Sequence, residues 1–111
     1  MERFVKGDVV VVPFPFSNLS GSKRRPALVL TDLRGDDIMI CQITSQLPKD
    51  DIFAQALKSE DFASGSLPVD SYIRPSRIFT ADKHIVFRKI GKINPERMNK
   101  VIDAIIFILN N

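Results

Sequence analysis

The chain has 111 residues, 44% hydrophobic and 26% charged, with seven prolines and five glycines, which fits one domain over residues 1–111 and excludes a collagen-like, low-complexity or disordered chain. One cysteine, Cys41, and one histidine, His84, exclude an intrachain disulfide, a cysteine-rich zinc site and a two-histidine metal centre, so no metal and no cofactor are expected. The net charge of +3 is unevenly spread: residues 1–25 carry +3, residues 26–70 carry −5 and residues 71–111 carry +5, so the two basic segments would attract a polyanion if they met in space.

The amino-terminal run reaches charge at once and meets Pro13 early, unlike a signal peptide. The longest apolar stretch, residues 104–109, is far shorter than the ~20 residues of a membrane span. A cytoplasmic chain with no membrane partner is therefore expected. Residues 9–14 (VVVVPF) form an unbroken β-branched run that reads as a buried strand. Residues 17–25 (SNLSGSKRR) read as a flexible loop. A second buried strand follows over 27–33, then a hairpin turn at 34–37 (RGDD) and a third strand over 38–43, together an antiparallel meander.

The middle of the chain is less periodic. Residues 52–57 fit a strand or a helical turn, and residues 62–67, with Gly65, fit a loop. Tyr72-Ile73 and residues 77–80 are short strand candidates that Pro75 demotes to edges or a bend, and residues 85–87 are another. At the end, Asn94 is a good N-cap, Pro95 suits the first helical position and Glu96 suits the positive end of the dipole. Met98, Val101, Ile102, Ile105, Ile108 and Leu109 recur at helical spacing and predict a helix packed on the sheet. Ile106 and Phe107 lie off that stripe, and either widen it or cover a subunit interface. The fold expected is mainly β with a C-terminal helix (α+β), a small antiparallel β-barrel or curled sheet.

Arg25 precedes Pro26, which favours extended backbone at Arg25 and holds it more firmly than Lys23 or Arg24. A guanidinium held there can bond two phosphate oxygens at once, although the same residues also suit a solubilising basic loop. Thr44, Ser45 and Gln46 close the third strand with three polar side chains. If the second and third strands pair antiparallel, Thr44 lies near Arg25; the plainer alternative is hydroxyls bonded to the local backbone. Tyr72, Arg74, Ser76 and Arg77 surround Pro75 and either extend a basic, base-stacking surface or leave Tyr72 in the core. His84 has no evident partner in the sequence, and Cys41 reads as a small buried hydrophobe.

Four blocks in order, GDVVVVPFPFSNLSGSKRRPALVLTD, ICQITSQ, DSYIRPSRIFTADKHI and KIGKINPERMNKVIDAI, resemble the MazF/PemK family of toxin endoribonucleases from bacterial toxin–antitoxin pairs. The resemblance spans nearly the whole chain. It implies an SH3-like, PemK-like barrel that forms a homodimer and cuts single-stranded RNA at specific sequences without metal, leaving a 2′,3′-cyclic phosphate and a 5′-hydroxyl. It also implies neutralisation by a cognate antitoxin, with DNA bound for autoregulation only through the antitoxin complex. The family's arginine before a proline falls on Arg25 and the threonine of its Ile-Thr-x-Gln motif on Thr44, the two catalytic positions. A further arginine used by some members falls on Arg74, and Lys23, Arg24, Ser45, Gln46, Ser76 and Arg77 complete the RNA-binding candidates. The chain departs from the pattern at Ser76, where some relatives carry an aspartate proposed as a base, at Arg77, where many carry Gln, and at Phe79, where many carry Arg. Two other classes fit the same scaffold: a non-catalytic nucleic-acid-binding barrel, and a toxin acting on a protein such as gyrase.

Overall fold

The computed structural model describes residues 3–14 and 23–111. Strand β1 spans Asp8–Phe14, β2 Lys23–Asp32 and β3 Asp37–Thr44. Strands β4 (Gln55–Leu57), β5 (Phe62–Gly65), β6 (Ser71–Asp82) and β7 (Arg88–Ile93) follow, and helix α1 spans Pro95–Leu109. All seven strands form one sheet in the order β4-β6-β3-β2-β1-β7-β5, with every pairing antiparallel.

The sheet curls, and its alternating side chains feed two cores. One core takes Val9, Leu28, Cys41, Ile43, Ile73 and Ile93, and is covered by Met98 and Val101 of α1. The other takes Val10, Val12, Ala27, Val29, Ile38, Ile40 and Ala81, with Phe4 against them. Strands buried on both faces explain why residues 9–12 and 27–30 are continuously apolar instead of alternating.

The hairpin between β2 and β3 forms as expected. Arg34 and Gly35 both take positive φ, 69° and 63°, the combination that matches a tight turn to the strand twist. Asp32 Oδ1 accepts the Arg34 amide at 2.9 Å, which ties the turn to the end of β2. Asn94 caps α1 by accepting the Arg97 amide at 2.8 Å, with Pro95 at the helix start.

Several sequence expectations need correction. Residues 23–25 belong to β2, not to a loop, because Lys23, Arg24 and Arg25 pair with Phe14, Pro13 and Val12. Residues 17–22 of that expected loop lie outside the described residues. Phe62–Gly65 is the edge strand β5, paired to β7, instead of a loop. Residues 85–87 are not a strand: Lys83–Ile85 makes one 3₁₀ turn capped by Asp82.

The two short segments around Pro75 are parts of one twelve-residue strand, β6. Its register explains how it tolerates the proline: Cys41 pairs with Ile78, and its neighbour Gln42 pairs with Arg74. Pro75, Ser76 and Arg77 bulge out of the ladder, where a missing amide hydrogen costs no hydrogen bond. On α1, Met98 and Val101 are buried and Ile102 and Ile105 pack on the core, but Leu109 is 77% exposed. The predicted stripe therefore holds for the first turns of the helix and leaves the sheet at its end.

Candidate functional site

The two basic segments of the chain meet at one end of the sheet. The end of β1 pairs with the basic start of β2, and β7 begins beside β1 through Val11 and Arg88. Lys23, Arg24, Arg25 and Arg88 thereby line one cleft of ≈ 840 Å³, together with Thr44, Ser45 and Gln46 from the end of β3. Phe14, Phe87 and residues 67–69 add apolar walls. None of the described residues that line the cleft is Asp, Glu or His. Four cations without a carboxylate among the described lining residues give the cleft a positive potential that suits an anion.

Arg25 and Thr44 share a face. β2 and β3 pair Ala27 with Gln42, and the same register continued by two residues sets Arg25 opposite Thr44. Arg25 is in phase with Ala27 and Val29, and Thr44 with Ile38 and Ile40, four residues of one core cluster. Arg25 is exposed and makes no salt bridge among the described residues. Thr44 Oγ1 accepts the Gln46 amide at 3.2 Å, a bond that fixes the hydroxyl and leaves its proton to donate outward. A phosphate between them would meet a charged fork on one side and a neutral donor on the other.

Arg24 alternates to the opposite side of β2, and its Cζ lies 4.2 Å from the centroid of Phe87, a cation–π contact. Neither Phe87 nor Arg88 was assigned to a site from sequence. The available signal was an aromatic directly before the basic pair Arg88-Lys89, but reading residues 85–87 as a strand hid it.

Arg74, Ser76 and Arg77 do not line this cleft. Arg74 and Ser76 line a second hollow of ≈ 510 Å³ with Asp51 and Phe53. Arg74 Nε donates to Asp51 Oδ2 at 2.8 Å and Nη1 to Gln42 Oε1 at 3.4 Å, while Ser76 Oγ donates to Asp51 Oδ2 at 3.4 Å. Asp51 is 4% exposed at its side chain, so the charge on Arg74 is already matched. Burial pushes the Asp51 carboxyl up, but hydrogen bonds from Arg74 and the Phe53 amide, with the Arg74 charge, outweigh it and leave its pKa lowered. Arg77 lies 5.9 Å from the Phe79 ring centroid.

His84 does have a partner: Nδ1 is 2.7 Å from Asp82 Oδ1, away from the cleft. Cys41 is fully buried and its thiol pKa is pushed up to about 12 by desolvation, so it is a packing residue and not a nucleophile. Among the described residues no cluster of three His, Cys, Asp or Glu side chains is arranged to hold a metal ion, and no helix is long and apolar enough to cross a membrane.

Residues 5–109 match the family described as PemK-like, MazF-like toxin of type II toxin–antitoxin system. Comparison with curated protein sequences gives no significant match. Among solved structures, the chain is similar to that of MazE-MazF (Form-II) from Deinococcus radiodurans, with a TM-score of 0.77 and 19% identity, covering 99% of this chain and 98% of that one. An endoribonuclease in complex with its cognate antitoxin from a mycobacterial species gives a TM-score of 0.75 and 18% identity, covering 97% and 96%. Mycobacterium tuberculosis toxin MazF-mt6 gives 0.71 and 17%, covering 93% and 96%. At these identities the likeness establishes the fold.

Proposed function

The chain belongs to the PemK-like, MazF-like toxin family of type II toxin–antitoxin systems, and from that premise we propose that it is an endoribonuclease that cuts single-stranded RNA in the cleft holding Arg25 and Thr44. The observation that carries this reading is the row of four cations with no carboxylate among the described lining residues, beside a hydroxyl that accepts the Gln46 amide and keeps a proton to donate. Two similar structures, both from mycobacterial species, are named endoribonucleases, which supports the same reaction here.

RNA supplies its own nucleophile. Its 2′-oxygen attacks the adjacent phosphorus, the bond from phosphorus to the 5′-oxygen breaks, the 2′-proton is lost to water, and water returns one to the leaving 5′-oxygen. The products are a 2′,3′-cyclic phosphate and a 5′-hydroxyl. Arg25 offsets the charge that builds on the phosphorane oxygens, and Thr44 donates to one of them and holds the attack in line. No side chain is assigned as the base, and the 2′-proton passes to water in this scheme. Cleavage needs no metal ion. The protein works in the cytoplasm as a homodimer, with the exposed Ile106, Phe107 and Leu109 of α1 available for contact. A cognate antitoxin silences it, as the partner named in similar structures suggests, and DNA is met only through that complex.

The test is to incubate the protein and its Arg25→Ala variant with a long unstructured RNA in EDTA and map the 5′ ends of the fragments. Discrete cuts by the protein and a loss of at least about 10²-fold in Arg25→Ala are expected, the scale of removing one preorganised donor. Because none of the described residues that line the cleft is a carboxylate or a histidine, a second reading is an RNA-binding protein without catalysis. Arg25-dependent binding with intact RNA would favour it.

A further inference from the structure

We propose that Phe87, layered with Arg24, is a stacking platform for a base flanking the scissile phosphate. The inference rests on the RNA-cleaving reading and adds to it a residue that governs affinity and base choice.

Phe87 is 50% exposed on the wall of the basic cleft, so its ring is accessible to a ligand there. Its position is fixed. The Phe87 amide donates to the Val11 carbonyl at 2.9 Å, Val86 before it packs on a core cluster, and Arg88 after it pairs with Val11. The platform is therefore anchored to β1 directly before β7 begins. The Arg24 guanidinium over the ring is itself planar and weakly hydrated, so it stacks as readily on a base as on phenylalanine.

A base is the ligand group that suits this surface. It offers a flat π face to Phe87 or Arg24, while the phosphates on either side of it meet Lys23, Arg25 and Arg88. Because Arg24 and Arg25 alternate to opposite sides of β2, the base that stacks belongs to a neighbouring nucleotide and not to the bond being cut. Phe87 is thus a binding and specificity residue and takes no part in the chemical step.

The experiment measures binding of an eight-nucleotide single-stranded RNA, uniformly 2′-O-methylated so that it cannot be cut and carrying 2-aminopurine, whose fluorescence falls on stacking. An abasic oligomer with the same backbone is the control. Phe87→Ala should weaken binding of the base-bearing oligomer about 5- to 100-fold and leave the abasic one unchanged. Phe87→Trp should retain binding and quenching, whereas Phe87→Leu, which keeps apolar bulk and fold, should behave as Phe87→Ala. Arg25→Ala should weaken both oligomers.

Equal binding of the base-bearing oligomer by the protein, Phe87→Ala and Phe87→Leu overturns the platform and leaves the RNA reading standing. Equal weakening of both oligomers by Phe87→Ala also overturns it, since the effect is then not stacking. Failure of the unaltered protein to bind either oligomer overturns the RNA reading and the platform with it.

Discussion

At the scale of single residues, the arginines of this chain divide by what faces them. Arg25 is exposed in a cleft without carboxylates, while Arg74 is held by the nearly buried Asp51. Both stand close to a proline in the sequence, so sequence context alone treats them alike; only the fold shows that the segment after β3 brings Asp51 back over Arg74. The pair links that segment to β6 and to Gln42 of β3. Because the Asp51 pKa is lowered below its ordinary 3.8, its stabilisation is complete above the usual carboxylate range and is lost as pH falls through the lowered value. Asp51→Asn should therefore cost about 1–3 kcal/mol at pH 7, between the values for exposed and buried pairs. That deficit should shrink at pH 3, as urea denaturation of the two proteins at both pH values would show; an equal deficit at both would mean the charge is irrelevant. His84 gives the same lesson in a smaller form, since its partner Asp82 is two residues away and only the turn at Lys83–Ile85 folds them together.

At the scale of elements, legibility followed burial. β1, β2, β3 and α1 announce themselves because each buries a long apolar run or a helical stripe. β5 was invisible because only Phe62 gives it an apolar anchor, and its Gly65 reads as a breaker. The structure shows why that glycine is there. Gly65 takes φ of 70°, and a Cβ at that position would collide with the Ile90 carbonyl oxygen and stand 2.5 Å from the Gly91 Cα. β5 lies against β7 through this close backbone approach. Gly65→Ala should displace β5 at a cost of at least about 1–2 kcal/mol from the left-handed backbone alone. Hydrogen exchange should then show loss of protection confined to the β5 and β7 amides, and unchanged protection would refute the role given to the glycine.

At the scale of the whole molecule, the charge blocks of the sequence already implied a basic surface, but its composition needed the topology. Only the placement of β7 beside β1 brings Arg88 to Lys23, Arg24 and Arg25 across more than sixty positions of sequence. If all four cations meet phosphates, the affinity for single-stranded RNA should fall with salt at a log–log slope of about −3, or shallower if fewer engage. Fluorescence titrations between 50 and 200 mM salt measure it, and a flat dependence would remove the electrostatic account. β6 contributes at this scale too. Its bulge sets four steps of one strand, Arg74 to Ile78, against one step of its neighbour, so the parity of the ladder reverses there. Ile73 faces the helix-covered core, whereas Phe79 and Ala81, at the same odd spacing, face the other. The bulge thus behaves like a frameshift written in side chains: losing one of Pro75, Ser76 or Arg77 would turn half of the strand inside out, while a change of two would keep both cores in phase.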